Sequence, residues 1–139
     1  MLSIIDIKKS IVTKLKTFGV DIVANDIRSG FKKPAFFIQI MPISDDVNND
    51  FSINTLVVNI HYFSEDKTDL DNLKMIDKLK KVFINNLKVN NRILTISNKT
   101  YDIDDNVLQF MFEVRYTEEV YRDKTEIYEI IGDMQFKKY

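Results

Sequence analysis

The sequence predicts an α+β fold: a single mixed or antiparallel sheet of about four to six strands with two helices packed on one face. Three observations lead to it. Residues Val107 to Thr117 alternate, with Leu108, Phe110, Phe112, Val114 and Tyr116 on one side and Gln109, Glu113, Arg115 and Thr117 on the other, which is the period of a half-buried strand. Ile4, Ile7, Ile11, Leu15 and Phe18 recur at three- and four-residue steps, the period of an amphipathic helix. The order helix, strands, helix, strands then runs through the chain without a repeat or a Gly/Ser linker, so one sheet carrying both helices can supply a single core.

Taken in order, Ser3 is placed to cap the first helix, Asp6 to complete a capping box, and Gly19 to stop it. Val20 to Ile27 reads as a strand, and Arg28 to Pro34, with Gly30 and Pro34, breaks regular structure. Ala35 to Met41 is rich in strand formers and predicts a buried central strand. Pro42 to Asn54 carries Asp45, Asp46, Asn48, Asn49 and Asp50, and is expected to form a long hairpin tip or a flexible loop. From Thr55 to Phe63, Leu56, Val58, Ile60 and Tyr62 share one face and Thr55, Val57, Asn59 and His61 the other.

Thr68 or Asp69 caps a second helix, with Leu73, Ile76, Leu79, Phe83 and Leu87 as its apolar stripe and Lys74, Asp77, Lys78 and Lys81 covering the remainder. Arg92 to Ser97 and Lys99 to Asp104 read as short strands, and Asp105-Asn106 suits a tight hairpin turn because both residues tolerate left-handed backbone angles. The end of the chain keeps Val120, Tyr121, Ile127, Tyr128, Ile130, Ile131, Met134 and Phe136, too apolar for a solvent tail. Residues 1–117 therefore read as the α+β domain, and 118–139 as a C-terminal strand or extension that packs on its own domain or on a neighbour.

Composition narrows the function. The chain has 139 residues, 45% hydrophobic and 29% charged, enough for one core without a disulfide or metal. Net charge is −1 with both signs mixed along the length, so no strong field draws it to nucleic acid or an anionic membrane. The absence of cysteine removes disulfides, thiolate nucleophiles and thiolate metal sites together. Asp6, Lys8 and Lys9 interrupt the N-terminus before an apolar run of signal-peptide length can form. No stretch reaches the ~20 apolar residues of a membrane helix, and the chain reads as soluble and, by default, cytoplasmic.

The candidate chemical sites reduce to structure. Asp102, Asp104 and Asn106, with Glu113 following, reproduce the carboxylate spacing of a calcium-binding loop, but Val107 stands where that loop needs glycine and the flanks alternate as strands. A hairpin is the better reading. His61 is the only histidine, and a triad or multi-histidine metal site cannot be assembled around it. Asp45, Asp46 and Asp50 could hold a hard cation, but loop carboxylates are more often solvated, and here they read as interface charge. Gly30 is isolated, without a phosphate-binding loop, and the pairs Lys32-Lys33 and Lys80-Lys81 read as solvated surface. No catalytic residue, metal or cofactor is expected.

The stretch Gly30-Phe31-Lys32-Lys33-Pro34-Ala35-Phe36-Phe37-Ile38, the strand ending Ile60-His61-Tyr62-Phe63 and the late Leu108-Gln109-Phe110 strand resemble a small family encoded in phages and prophages of low-GC Gram-positive bacteria. Across roughly Leu2 to Tyr116, the order of elements is similar to tail terminator proteins of long-tailed phages. The resemblance implies a non-enzymatic virion protein that forms a ring, a hexamer, on the last ring of tail tube subunits. It would stop polymerisation of the tube, and of a sheath in a contractile tail, and offer a surface to head connector or neck proteins. DNA would meet it only in passage through the channel, which Asp45, Asp46 and Asp50 could face, and assembly would take place in the host cytoplasm. Val120, Tyr121, Ile127, Tyr128, Ile130, Ile131 and Phe136 are expected at the subunit or sheath contact. Another head–tail joining protein is the neighbouring alternative, and a small ligand-binding domain the alternative from a different class.

Overall fold

The computed structural model describes residues 2–23, 32–66 and 68–120. Eight elements follow in order: α1 (Ile4–Lys16), β1 (Asp21–Val23), β2 (Ala35–Val47), β3 (Phe51–Phe63), α2 (Asp69–Val82), β4 (Asn86–Val89), β5 (Arg92–Asp104) and β6 (Val107–Glu119). The strands form one curled sheet in the order β1-β2-β3-β6-β5-β4. β1 runs parallel to β2 and every other pair is antiparallel, so the α+β fold has a mixed sheet.

α1 begins where the capping box directs it. Ser3 Oγ accepts from the Asp6 amide at 3.1 Å, and Asp6 Oδ2 accepts from the Ser3 amide at 3.4 Å, which satisfies donors a helix N-terminus otherwise leaves open. The helix ends at Lys16, and Gly19 follows at φ 70°, a left-handed angle that costs glycine little. Ile7, Ile11 and Leu15 are fully buried. They join one core with Phe36 and Ile38 of β2, Leu56, Val58 and Ile60 of β3, and Leu108, Phe110, Phe112 and Val114 of β6. Burial of each such side chain contributes about 1.5–3 kcal/mol.

The structure departs from the sequence reading at several places. The acidic segment from Pro42 to Asn54 is a hairpin but not a long loop: β2 continues to Val47 and β3 starts at Phe51. Backbone pairing of Asp45 with Asn54, Asp46 with Ile53 and Val47 with Ser52 extends the ladder past a bulge at Ile43, and backbone hydrogen bonds are indifferent to the polarity of the side chains they carry. Ala35 to Met41 forms the inner half of β2, a buried strand lying between β1 and β3, while β3 and β6 hold the middle of the sheet. The single strand β5 replaces two short ones, with an irregularity between Ser97 and Thr100 where Asn98 takes φ 52°. Val20 to Ile27 yields β1 over Asp21–Val23, and residues 24–31 lie outside the described residues.

α2 is rotated from the stripe read in the sequence. Asn72, Met75 and Leu79 are buried while Leu73 is 54% exposed. Met75 and Leu79 turn this face into the core, and Asn72 beside them donates its Nδ2 to the Asn106 carbonyl of the β5–β6 turn at 3.4 Å. Leu87 belongs to β4, a strand hidden in the sequence because Phe83 and Leu87 continue the helical spacing of α2. The helix instead stops at Val82, where Lys14 Nζ donates to the Val82 carbonyl at 3.3 Å and Lys99 Nζ to the Phe83 carbonyl at 2.8 Å. Two lysines from distant elements thus serve carbonyls that a helix C-terminus exposes.

Candidate interaction surfaces

Two surfaces at opposite ends of β3 combine charge with apolar side chains. The first is the tip of the β2–β3 hairpin. Asn48 shapes it: its Oδ1 accepts from the amides of Asp50 at 2.9 Å and Phe51 at 2.8 Å, and its own amide donates to the Phe51 carbonyl at 2.9 Å. Asn is suited to this bend because its side chain replaces a backbone partner. Asp45 and Asp46 lie on the outer part of β2 and Asp50 in the turn, all exposed. Phe51 pairs with Glu119 and Ser52 with Glu118, so the end of β6 adds two carboxylates beside these three aspartates.

Ile43, Val47 and Phe51 are exposed on the same hairpin, at 59%, 54% and 38%. Glu118 Oε1 accepts from the Leu2 amide at 2.7 Å, which ties the N-terminus to this end, and Arg92 donates to the Thr117 carbonyl at 2.5 Å. The Tyr116 phenol, on the neighbouring part of β6, is pushed upward by burial first and then by the charges of Glu118 and Asp45. Val120 leaves β6 here, its amide donating to the Asp50 carbonyl at 3.1 Å. The remaining interface candidates, Tyr121, Ile127, Tyr128, Ile130, Ile131 and Phe136, lie outside the described residues.

The second surface is a groove of about 510 Å³ between the end of α1 and the side of α2. Phe18, Val20, Met75 and Val82 give it apolar walls, and Lys74, Lys78 and Lys81 stand along it as exposed cations. Asp71 also lines it, and Asp71 Oδ2 accepts from the Tyr62 hydroxyl at 3.0 Å and from Ser64. Burial, then the hydrogen bond and charge of Asp71, push the Tyr62 phenol up to about 12, so Tyr62 serves as a donor throughout the neutral range. In the sequence these lysines lie on the outer face of a helix, and only the fold sets Phe18 and Val20 opposite them.

The other candidates resolve into structural roles. Asp105 and Asn106, at φ 51° and 62°, make the β5–β6 turn, as the hairpin reading of the calcium-like spacing predicted. Asp102 pairs with Gln109 and Glu113 with Ser97, which places them on different strands. Glu113 accepts from the Asn98 amide side chain. Among the described residues, no group of three or more His, Cys, Asp or Glu side chains is placed to hold a metal ion. His61 packs against Phe37 with ring centroids 5.4 Å apart and the rings tilted by 50°, and burial lowers its pKa. Lys80 lies 5.9 Å from the Tyr101 ring centre, within reach of a cation–π attraction, while Lys32 and Lys33 are exposed ahead of β2.

A protein-family model described as “Phage tail terminator protein” matches residues 6–127, most of the chain. The chain belongs to the phage tail terminator family. No curated protein matches it. Membership gives the protein a structural role in a phage tail rather than an enzymatic one, a place among the components of the virion tail, and contacts with other tail or head–tail proteins. The hairpin tip and the lysine groove are the candidate surfaces for such contacts. The family match runs from the first turn of α1 through β6, so it includes both.

Proposed function

We propose that this protein closes the tail tube at the end facing the head, as a ring of identical subunits and specifically a hexamer. In that place it stops polymerisation of the tube, and of the sheath where the tail contracts, and presents a surface to connector or neck proteins. The observation that carries this reading is the family match over residues 6–127. The fold supports it physically. A closed ring joined head to tail needs two different, complementary surfaces on each subunit, and the hairpin tip and the lysine groove differ in both shape and charge.

In this reading both helices cover one face of the sheet, since Ile7, Ile11, Met75 and Leu79 share a core with Val58, Ile60, Phe110 and Phe112. The extension expected over residues 118–139 starts within the sheet, because β6 carries the chain to Glu119, and in this reading residues 121–139 reach beyond the domain. Val120 to Phe136 reaches a neighbouring subunit or the sheath, starting from the acidic end of the molecule where Val120 bonds to Asp50. The subunits assemble in the host cytoplasm before the tail joins the head.

Light scattering of the purified protein across a concentration series, followed by incubation with tail tubes and electron microscopy of their ends, tests the proposal. A ring-sized species with density confined to tube ends is expected. A monomer at every concentration that ignores the tubes would overturn it, and density along the tube walls would reassign the protein to another tail role.

A further inference from the structure

We infer that the acidic hairpin tip of one subunit seats in the lysine-edged groove between α1 and α2 of the next copy of this chain. This rests on the ring reading above and supplies its missing contact. The tip offers Asp45, Asp46 and Asp50 together with the exposed apolar side chains of Val47 and Phe51. The groove offers Lys74, Lys78 and Lys81 beside apolar walls that include Phe18, Val20 and Met75. Charge meets opposite charge at the edge, and apolar surface meets apolar surface within, which is the arrangement of a specific interface with a polar rim. Asp71 is the one carboxylate against three lysines among the groove's lining residues, so the lining is positive by formal charge.

Geometry makes the contact intermolecular. Phe51 begins β3 at the tip, and Tyr62, near its other end, lines the groove. At about 3.3 Å per residue, the strand holds the two surfaces roughly 36 Å apart, so a subunit cannot place its own tip in its own groove. The paired strands β2, β3 and β6 hold the tip out as a stiff arm. Because the donor and acceptor surfaces differ, each copy uses both, and the contact propagates in one direction until it closes.

Charge reversal tests it. One protein carries Lys74→Glu, Lys78→Glu and Lys81→Glu; a second carries Asp45→Lys, Asp46→Lys and Asp50→Lys. All six positions are exposed, and circular dichroism melts matching the parent confirm that each folds. Each variant alone should lose the assembled species in light scattering, with association weakened on the order of tenfold or more. An equimolar mixture should regain it, because each arm then faces a groove of opposite charge. Assembly that survives either reversal, or that fails to return on mixing, overturns the seating. If the groove variant keeps its assembly but loses affinity for a short DNA duplex, the lysines serve DNA and the seating is again overturned. In these cases the ring reading stands, whereas a parent protein that never assembles removes both.

Discussion

His61 shows how a single side chain acquires a measurable property only from its surroundings. Its ring packs on Phe37, its Nε2 is buried without a hydrogen-bond partner, and burial holds its pKa below the ordinary 6.5. Below pH 6.5 the unfolded chain therefore takes up a proton that the folded chain resists, and the native state loses stability as pH falls from 6.5 toward the lower folded value. His61→Gln should flatten this part of a pH series of urea denaturation curves; the same slope in both proteins would refute the assignment. The sequence identified His61 as structural because no partner for chemistry existed, yet it could not show Phe37 as its neighbour. Asn72 marks the opposite case. A polar residue inside a helix attracts no notice in a sequence, but here it is fully buried and reaches the Asn106 carbonyl.

At the scale of elements, local signals were legible where one short segment satisfied itself. The α1 capping box, the Asp105-Asn106 turn and the alternation of β6 each depend on neighbours a few residues apart, and such patterns survive in one dimension. The turn is open to a direct test. Asn106 holds φ 62°, so Asn106→Val should cost about 1–2 kcal/mol through left-handed backbone strain, whereas Asn106→Gly should not. Urea midpoints with unchanged slope would measure both, and equal midpoints would show that the turn bears no such strain. Elements that depend on distant partners were harder to see. β4 is hidden because Phe83 and Leu87 continue the helical spacing of α2, and the outer parts of β2 and β3 look like loop because the ladder there joins polar residues such as Asp45 and Asn54.

For the whole molecule, the arm and the groove lie at opposite ends of one strand, and the proposed assembly rests on that separation. The extension provides a further test at this scale. A protein ending at Val120 retains all eight elements, so its melting temperature should match that of the full chain. If Val120 to Phe136 contributes to the subunit or sheath contact, the truncated protein should form fewer rings or fail to hold tube ends in electron micrographs. A truncated protein that assembles and caps as well as the full chain would remove the extension from the interface. A collapse of the melting temperature would show instead that the extension belongs to the core.

By itself the sequence determined the class of fold, the positions of α1 and β6, the placement of most core residues, and a resemblance to tail terminators carried by packing residues. It also showed where acidic charge lies along the chain. Only the tertiary structure decided that Glu118 and Glu119 join Asp50 at one end, that α2 turns Asn72 inward and Leu73 outward, and that three lysines stand across from Phe18 and Val20. The reason is physical. Helix and strand periods report which side of a segment avoids water, a property set within a few residues, whereas an interaction surface is made of side chains brought together by register and packing between segments far apart in the chain.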